Sequence, residues 1–461
     1  MFGPDGEETG SWHRQIRYRR IDKSATRRPT NHPYCRLVLL PPPDPLITRR
    51  AFALAARRLD ASRAIVVNGP RQSGKTALLG LLNADRGGTY VSLDNPADRA
   101  SAIDDPTGFL EAGELPLFID EIQRGGDALV LAIKLALDRS SAKGQFALAG
   151  STRFLTEPRL AESLAGRVRF VDLWPLSQGE IDSEPDGFID ATFQDPARLR
   201  VPLRSAETRA QIFERVCRGG FPEAVLAPTV RDRGEFLADY ARTITQRDIR
   251  ELVDLDQVSR LRDLLGLLAA RTGTELNVAD LARVAGIPSA SLTRYLPLFE
   301  TTYVHHSVPA WSRNLTKKAI RRPKLHMIDT GLAAVLLGDA SDALARPATI
   351  AGQLLESFVA GELARQLTFS ETSATLRHWR DRDGAEVDLI LEASDGRIVG
   401  IEVKAAIDVN DNAFVGLRKL QRLLGRDFVA GVVLHCGDRP RSFGSGLVSL
   451  PIEALWRTPR P

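Results

Sequence analysis

The chain has 461 residues, of which 43% are hydrophobic and 26% charged, a composition typical of a multidomain globular protein. No run approaches the roughly 20 apolar residues of a membrane-spanning helix, and the N-terminus lacks the apolar segment of a signal peptide, so a cytoplasmic location is expected. The net charge of +4 comes from residues 1–50, which hold ten basic and five acidic residues, whereas the remainder holds 52 basic and 53 acidic residues. The charge of the folded part therefore does not by itself indicate nucleic-acid binding.

Residues 1–46 are predicted to form a basic disordered arm, because basic residues fall here among proline and polar residues. The basic residues that precede the three prolines at 41–43 are Arg14, Arg17, Arg19, Arg20, Lys23, Arg27, Arg28 and Arg36. Such an arm is able to contact nucleic acid. A solvated tail, or an extension from a misplaced start, explains the same composition and is the favoured interpretation.

Residues 69–76 read Gly-Pro-Arg-Gln-Ser-Gly-Lys-Thr and match the phosphate-loop pattern G-x-x-x-x-G-K-[ST]. The loop follows an apolar, β-branched run at 64–68 and precedes a helical segment at 77–82, which predicts the order strand, loop, helix. Backbone N–H groups and the helix N-terminus would then face the phosphates of ATP. Lys75 is expected to reach these phosphates, and the Thr76 hydroxyl to bind Mg²⁺. The predicted nucleotide-binding residues of the loop are Gly69, Pro70, Arg71, Gln72, Ser73, Gly74, Lys75 and Thr76.

A second motif argues against the alternative that the loop is an ordinary glycine-rich turn. Residues 115–121 read Leu-Pro-Leu-Phe-Ile-Asp-Glu, an apolar strand that ends in two carboxylates. Asp120 is predicted to hold Mg²⁺ through water, and Glu121 to orient and deprotonate the attacking water. A third apolar strand ends in Ser151, which is predicted to sense the γ-phosphate. Arg167 is a further candidate for a phosphate contact, with a plain surface arginine as the alternative.

The middle of the chain is predicted to be helical. Residues 183–205 are rich in proline, aspartate and glycine and predict a loop insertion, and the helices that follow it form a lid. Residues 259–306 then resemble a winged helix, with a short helix at 278–285, a candidate recognition helix at 289–298 and a wing strand at 301–307.

The winged-helix segment predicts DNA binding only weakly. If it binds DNA, the residues facing the groove would be Ser289, Ser291 and Arg294. The recognition helix carries one basic residue, however, and the cluster of Lys317, Lys318, Arg321 and Arg322 lies outside it. A packing lid is therefore the alternative.

Two strand-like segments in the last third of the chain alternate acidic and apolar residues, at 386–391 and 398–404. Side chains two residues apart in a strand share a face, so Glu402 and Lys404 are expected to point the same way. A hairpin would bring Asp388 onto the strand beside Glu402. Two such acids are able to bind Mg²⁺ for nuclease chemistry, with Lys404 steadying the hydroxide or the scissile phosphate.

Glu356, on a predicted helix that begins near residue 352, is a further candidate acid for this constellation. Alternating charge on a half-exposed strand explains the same pattern without any chemistry. The candidate catalytic residues of the whole chain are Glu121, Asp388, Glu402 and Lys404. The candidate metal ligands are Thr76, Asp120, Asp388 and Glu402.

Further short motifs accompany the phosphate loop. They are Phe-Ile-Asp-Glu-Ile-Gln at 118–123, Leu-Ala-Gly-Arg at 164–167, Gly-Gly-Phe-Pro at 219–222, Arg-Asp-Ile at 247–249, Ile-Asp-Thr-Gly-Leu at 328–332 and Trp-Arg-x-x-x-Gly-x-Glu-Val-Asp at 379–388. In this order they resemble the prokaryotic AAA-type ATPases with a C-terminal domain of unknown function, the AAA_14/DUF4143 family. The resemblance extends from about residue 47 to the C-terminus and leaves the N-terminal arm outside.

The resemblance implies an α/β multidomain fold. It comprises a P-loop AAA+ ATPase core with a parallel sheet at 47–195, a helical lid at 196–258, a winged helix at 259–325 and a restriction-endonuclease-like α/β domain at 326–461. It also implies that Asp388, Glu402 and Lys404 occupy the nuclease-type positions.

The predicted function is ATP binding and hydrolysis by a protein that acts on DNA and self-associates, since AAA-type sites often borrow an arginine from a neighbour. Arg167 and Arg247 are the candidates for that arginine. Three hypotheses remain open: an ATPase coupled to a metal-dependent nuclease, an ATP-gated DNA-binding regulator or toxin–antitoxin component with an idle nuclease fold, and an ATP-dependent protein scaffold.

Overall fold

The N-terminal half is built on a parallel sheet of five strands. The computed structural model describes residues 47–150, 164, 166–196, 199, 204–248, 258–313, 322–338 and 348–461, so the predicted arm at 1–46 lies outside it. The strands are β1 (Ala64–Asn68), β2 (Thr89–Ser92), β3 (Leu117–Asp120), β4 (Phe146–Gly150) and β5 (Val168–Asp172). Their order in the sheet is β2-β3-β4-β1-β5.

Helices cover both faces of this sheet, and β1, β3 and β4 are consequently buried along their whole length. Successive residues enter opposite apolar clusters, as Ile119 and Phe118 of β3 do. The helices are α1 (Ala51–Ala61), α2 (Lys75–Arg86), α3 (Pro96–Asp104), α4 (Pro106–Glu111) and α5 (Gly126–Arg139). The predicted α/β fold with a parallel-sheet core is confirmed.

A helical region follows the parallel sheet. Its helices are α6 (Gln178–Asp182), α7 (Phe188–Gln194), α8 (Arg209–Arg218), α9 (Pro222–Leu226) and α10 (Val230–Thr243). The prediction of a loop insertion at 183–205 is wrong over 188–194, because Phe188, Ile189 and Phe193 of α7 are buried in the core. Proline and glycine on either side of α7 obscured its apolar face in the sequence.

The next segment alternates helices with the strands of a small antiparallel sheet. Its elements are α11 (Val258–Ala270), β6 (Thr274–Glu275), α12 (Val278–Ala285), α13 (Ser289–Thr301), β7 (His305–Val308) and β8 (Lys324–Met327), and the strand order is β6-β8-β7. The predicted wing strand begins later than expected, since α13 continues to Thr301 on the buried Phe299. β8 also runs across the predicted domain boundary between residues 325 and 326.

The C-terminal part contains a mixed six-stranded sheet in the order β13-β14-β12-β11-β10-β9. Its strands are β9 (Ala374–Arg380), β10 (Glu386–Ala393), β11 (Ile398–Lys404), β12 (Phe428–His435), β13 (Arg441–Ser442) and β14 (Leu447–Pro451). The accompanying helices are α14 (Thr330–Leu336), α15 (Ala348–Phe369), α16 (Val415–Leu424) and α17 (Ala454–Arg457).

One apolar cluster extends from Phe188 in α7 to Trp456 in α17 and includes residues of α11, α13, α15 and β10. The helical region, the small antiparallel sheet and the C-terminal sheet therefore share a core. Within the described ranges, no helix combines the length and the apolar character needed to span a membrane.

Candidate functional site

The phosphate loop connects the end of β1 to the start of α2. Gly69 approaches the backbone so closely that a Cβ there would lie 2.2 Å from the carbonyl oxygen of Leu173, so a larger residue does not fit. Gly74, the residue before α2, has φ +94°, a left-handed conformation that favours glycine. The two glycines thus shape a loop at the N-terminus of a 12-residue helix, where N–H groups and the helix dipole attract phosphate.

The predicted nucleotide-binding side chains converge at the carboxyl end of the parallel sheet. The Lys75 ammonium donates hydrogen bonds to the carbonyl oxygens of Gly69 (3.0 Å) and Pro70 (2.7 Å), and the residue is 5% exposed. The Thr76 hydroxyl donates to Oδ2 of Asp120 over 2.6 Å. Because Mg²⁺ prefers hydroxyl, carboxylate and phosphate oxygens, these two residues fit the ion that accompanies ATP.

Two polar side chains that the sequence analysis did not single out hold the acids of β3. The Tyr90 hydroxyl donates to Oδ2 of Asp120 over 3.1 Å, and burial, together with the charge of Asp120, raises the pKa of this phenol. Gln123 Nε2 donates to Oε2 of Glu121, which itself has φ +52°. Tyr90 lies on β2, the strand beside β3, so the strand order would have pointed to it. Gln123 fixes the direction in which Glu121 points.

Arg167 lies away from the phosphate loop of its own chain. It precedes β5, which is parallel to β1, and Val168 is paired with Ala64 at the beginning of β1, whereas the loop follows the end of β1. The Arg167 guanidinium instead pairs with Asp138, with Nε 2.5 Å from Oδ1. The prediction that Arg167 contacts the nucleotide is therefore corrected: within one chain the sheet separates the two. Ser151 and the side chain of Arg247 lie outside the described residues.

Arg49, just ahead of α1, connects the phosphate loop with the region beyond the parallel sheet. Its guanidinium donates to the carbonyl oxygens of Ser73 in the loop (2.6 Å) and of Trp174 (2.6 Å). The Nε atom donates to Oε1 of Glu180 over 3.1 Å, and this ion pair is buried. No pattern in the sequence points to Arg49, because its three partners lie 24 to 131 residues away.

From Glu180 the polar contacts continue to α15. Glu180 accepts a hydrogen bond from the backbone N–H of Ser177 (3.0 Å), in the capping box of α6. The next N–H, that of Gln178, donates to Oε2 of Glu362 over 2.9 Å, and Glu362 pairs with Arg365 over 2.9 Å. Glu362 and Arg365 are buried residues of α15. A series of hydrogen bonds, connected through the backbone of Ser177 and Gln178, thus joins the phosphate loop to α15.

Two of the short motifs pack against each other. Asp329 accepts a hydrogen bond from the backbone N–H of Gly220 over 2.7 Å and caps α14 at Leu332 over 3.0 Å. A Cβ at Gly219 would lie 2.2 Å from the Asp329 carboxylate, and one at Gly331 would lie 2.7 Å from a backbone oxygen. The Gly-Gly-Phe-Pro and Ile-Asp-Thr-Gly-Leu motifs therefore have a structural role in the shared core.

The predicted nuclease-type residues form an acidic pocket, which we define as Glu356, Asp388 and Glu402 with Lys324 and Lys404. Strands β10 and β11 are antiparallel and paired at Leu389 and Ile401, which places Asp388 opposite Glu402. Asp388 Oδ2 accepts the backbone N–H of Val403 over 2.9 Å, and Glu402 Oε1 pairs with Lys404 over 2.7 Å. The hairpin and the shared face of Glu402 and Lys404 thus agree with the sequence analysis.

Lys324, from β8, was not predicted in this pocket. Its ammonium lies 2.8 Å from Glu356 Oε1 and 3.6 Å from Asp388 Oδ1. Burial lowers the pKa of Lys324, but the charges of Glu356 and Asp388 outweigh burial and raise it to about 12. Burial and the neighbouring Asp388 raise the pKa of Glu356 to about 8 and that of Glu402 to about 7.

A metal ion does not fit the acidic pocket in this arrangement. Among the residues that the structure describes, no group of three or more His, Cys, Asp or Glu side chains is arranged to hold a metal ion. The Lys324 ammonium instead lies between the carboxylates of Glu356 and Asp388. The pocket therefore carries its own cation.

The predicted recognition helix, α13, exposes Ser289 and Arg294 and leaves Ser291 half-buried, while Leu292 and Leu296 enter the core. Of the basic cluster between β7 and β8, Arg322 lies within the described ranges, whereas Lys317, Lys318 and Arg321 lie outside them. The exposed face of α13 thus carries polar side chains and one arginine.

Comparison with known proteins gives three family matches. An AAA domain matches residues 61–182, and two domains of unknown function, DUF8612 and DUF4143, match residues 209–343 and 351–455. The uncharacterized proteins Rv2008c of Mycobacterium tuberculosis and Mb2031c of Mycobacterium bovis are each 31% identical over 361 residues, which cover 78% of this chain and 74% of theirs. The Walker-type ATPase structure of Pyrococcus abyssi is 15% identical with a TM-score of 0.40, over 64% of this chain and 97% of its own.

Proposed function

Because the chain belongs to the family of prokaryotic AAA-type ATPases with a C-terminal DUF4143 domain, we propose that it binds ATP at the phosphate loop and hydrolyses it. The 2.6 Å contact between the Thr76 hydroxyl and Asp120 carries the proposal, because it brings the two predicted Mg²⁺ ligands together beside Glu121. A site that only binds nucleotide has no need of the second acid.

Each residue of the site would have a separate role in hydrolysis. Lys75 exchanges its hydrogen bonds to loop carbonyls for bonds to phosphate oxygens. Thr76 and Asp120 would hold Mg²⁺, which neutralises charge on the phosphates. Glu121, held by Gln123, orients a water for in-line attack on the γ-phosphorus and accepts its proton. The bond from the γ-phosphorus to the bridging oxygen then breaks, and its electron pair leaves with ADP.

An assay of purified protein tests this proposal. Phosphate release from ATP is measured with Mg²⁺ or with EDTA, and with or without duplex DNA. We expect turnover that requires Mg²⁺. ATP binding without turnover under every condition would reduce the site to a nucleotide-binding module.

We also propose that the state of the nucleotide reaches the C-terminal part through Arg49. Its guanidinium holds the Ser73 carbonyl of the loop on one side and Glu180 on the other. A loop that closes on phosphate moves that carbonyl, and the hydrogen bonds through Gln178 and Glu362 carry the displacement to α15. This would couple ATP to the acidic pocket, since Glu356 lies on the same helix.

A second candidate function is action on DNA. It is favoured by the exposed polar face of α13, which carries Ser289 and Arg294 and would serve as the recognition helix of a winged helix. Asp388, Glu402 and Lys404 support a restriction-endonuclease-like domain. Lys324 favours an idle nuclease fold over an active one in this conformation, so a regulator or toxin–antitoxin component is the preferred form of this proposal.

Two measurements separate these alternatives. Retention of duplex DNA that weakens steeply with salt supports a DNA-directed protein, whereas no retention favours a protein scaffold. Mg²⁺-dependent strand cleavage that is lost in Asp388→Ala would establish the active nuclease instead of the idle one.

A further inference from the structure

Lys324 reaches the acidic pocket from a separate part of the fold. Its strand, β8, belongs to the small antiparallel sheet, whereas Glu356 lies on α15 and Asp388 on β10. The backbone of Lys324 is paired on both sides, with Glu275 of β6 and with Val308 of β7. The sheet fixes the position of its Cα atom, and the four-carbon side chain carries the ammonium into the pocket.

The two lysines of the pocket have different positions. The Lys324 side chain is 9% exposed and lies between acids from two elements. The Lys404 side chain is 41% exposed and contacts Glu402 at the rim. Lys324 is therefore the inner cation of the pocket and Lys404 the outer one.

Formal charges show what Lys324 does to metal binding. With all five groups in their charged forms, three carboxylates and two ammonium groups leave the pocket with one negative charge, so a divalent ion would make the site positive. Without the charge of Lys324 the pocket holds two negative charges, which a divalent ion neutralises. The ammonium also lies between Glu356 and Asp388, where an ion that bridged them would have to bind.

We propose that Lys324 is a tethered cation that takes the place of a divalent metal ion in the acidic pocket, and that an ion binds there only when Lys324 is displaced. This inference rests on the proposal that the pocket descends from, or still serves as, a nuclease-like metal site. It assigns to β8 a role that the ATPase proposal does not contain: the small antiparallel sheet closes the pocket.

The fold offers a way to open this closure. Glu356, the nearest partner of Lys324, lies six residues before Glu362 on α15, and Glu362 is the end of the hydrogen-bonded series from the phosphate loop. A shift of α15 relative to β8 separates Glu356 from Lys324, because the lysine is anchored on a different element. ATP binding would thereby regulate access of a metal ion to the pocket.

The test is Mn²⁺ binding to the nucleotide-free, full-length protein, measured by the loss of the free-ion EPR signal. Every protein carries Asp120→Asn, so that the P-loop acid does not contribute. The parent is compared with Lys324→Met, with the charge-retaining Lys324→Arg and with Lys404→Met. A fifth protein combines Lys324→Met with Asp388→Asn to locate the ion.

We expect Lys324→Met to bind one Mn²⁺ per chain at least roughly tenfold more tightly than the parent, because an inner charge at contact distance has been removed. Asp388→Asn should abolish this gain, and Lys324→Arg should behave as the parent. Lys404→Met is the matched control, since it changes the formal charge equally but leaves Lys324 between the acids. It should not acquire the Asp388-dependent ion.

Three outcomes would overturn the inference. If the parent binds Mn²⁺ at an Asp388-dependent site as tightly as Lys324→Met, the lysine does not compete with the ion. If Lys404→Met gains the ion equally, overall charge rather than the position of Lys324 controls binding. If none of the proteins binds an Asp388-dependent ion, the pocket is not a metal site, and the nuclease-like proposal fails with the inference while the ATPase proposal stands. Lys324→Gln replaces the methionine variant if circular dichroism shows that the latter is unfolded.

Discussion

Lys75 and Lys324 are both buried lysines, but their ammonium groups contact different kinds of oxygen atom. The described contacts of Lys75 are the carbonyl oxygens of Gly69 and Pro70, which are neutral. Lys324 lies against carboxylates, those of Glu356 and Asp388. A charged phosphate oxygen forms a stronger hydrogen bond to an ammonium than a neutral carbonyl does. A phosphate oxygen would therefore form stronger hydrogen bonds to Lys75 than these two carbonyl oxygens do, whereas Lys324 already contacts charged oxygens.

The two lysines show that a buried lysine does not by itself indicate a ligand site. The atoms that its ammonium group contacts decide which ligand, if any, it can bind. Beside the phosphate loop, Asp120 accepts a hydrogen bond from Thr76 and Glu121 accepts one from Gln123, while Lys75 donates to loop carbonyl oxygens. In the acidic pocket, lysine and acids satisfy each other, and removal of either would leave a buried charge without its partner. At the first site a phosphate would replace the carbonyl contacts of Lys75, whereas at the second Lys324 has to be displaced before a metal ion binds.

The largest expected effect is that of Lys75→Ala, and it tests the first half of the comparison. We expect loss of ATP binding by at least roughly 100-fold, because one ammonium meets several phosphate oxygens and no neighbouring residue of the motif can replace it. Isothermal titration with a non-hydrolysable ATP analogue measures this. Lys324→Ala is the matched control. Lys324 lies in the acidic pocket and not in the phosphate loop, so its loss should change the affinity for the analogue far less than Lys75→Ala does, and only through the coupling between the two sites. Equal loss in both variants would remove the distinction between the two lysines.

Glu121→Gln tests whether the acids of the first site do chemistry. The variant should still bind ATP, since Lys75 and Thr76 are unchanged, but kcat should fall roughly 10³-fold because the general base is lost. Steady-state phosphate release and analogue binding are measured on the same preparation. Unchanged turnover would remove Glu121 from the role of base and leave that role to another group.

The sequence predicted the first site better than the second, for a physical reason. A phosphate loop is local: Gly69, Gly74, Lys75 and Thr76 lie within eight residues, and the acids of β3 follow a recognisable apolar strand. The hairpin that joins Asp388 to Glu402 is also local, and i, i+2 spacing placed Lys404 correctly on the face of Glu402. Spacings of a few residues determine the geometry of a loop or hairpin, so these features were predictable from the sequence.

Contacts between distant elements were not predictable in this way. Lys324 meets Asp388 because β8 pairs with β7 and β6 on one side of the shared core, and no pattern near residue 324 encodes that pairing. Arg49 reaches Glu180 over 131 residues for the same reason. Arg167 illustrates the reverse case: it belongs to a short motif, but the parallel direction of β5 places it near the beginning of β1, whereas the phosphate loop follows the end of β1.

Self-association would distinguish the two sites further. A second copy of the chain could supply an arginine to the nucleotide site at the phosphate loop, whereas the acidic pocket takes its described lysines and acids from one chain. Arg167 pairs with Asp138 on its own chain and is separated from its own phosphate loop, so we expect ATP-dependent assembly in which it approaches a neighbour's nucleotide. Turnover per subunit should rise with protein concentration, and Arg167→Ala should lower kcat roughly 100-fold.

The matched control is Arg169→Ala, which removes an exposed arginine two residues away on the same strand. It should leave turnover unchanged. A strict monomer by analytical ultracentrifugation with ATP, with specific activity independent of concentration, would contradict the prediction.

Arg49→Met tests whether the two sites are connected. Loss of the buried pair with Glu180 should lower the free energy of unfolding by roughly 2 kcal/mol. Hydrogen exchange of residues 348–369 should respond to an ATP analogue in the unaltered protein and no longer respond in the variant. Arg50→Met is the control, since this neighbouring arginine is 32% exposed and does not contact the loop. An undiminished response in Arg49→Met would show that the contact is structural only.

The smallest expected effect concerns Asp186, which borders the series of hydrogen bonds between the two sites. Its carboxylate accepts the Ser177 hydroxyl over 2.8 Å, and burial, followed by the charge of Glu362, raises its pKa to about 7. The folded protein therefore binds a proton here that the unfolded chain has already lost above pH 4. Stability consequently falls as the pH rises from about 4 towards 7, the opposite of an acid held by a salt bridge.

Asp186→Asn should remove this dependence. Between pH 6 and pH 7 the unaltered protein should lose on the order of 1 kcal/mol relative to the variant, because a proton bound in the folded state alone changes stability by at most about 1.4 kcal/mol per pH unit. Thermal unfolding at the two pH values measures the difference in stability between the two proteins, in which the contributions of all other titrating groups cancel.

Asp190→Asn is the control of opposite sign. Burial raises the pKa of Asp190, but hydrogen bonds from Ser370 and Thr372 outweigh burial and lower it, so Asp190 remains ionised throughout this range. If Asp186→Asn and the unaltered protein keep the same difference at pH 6 and 7, Asp186 is ionised when folded. The hydrogen-bonded series between the two sites would then be bordered by a buried negative charge on Asp186, which lies against Ser177 and Arg50.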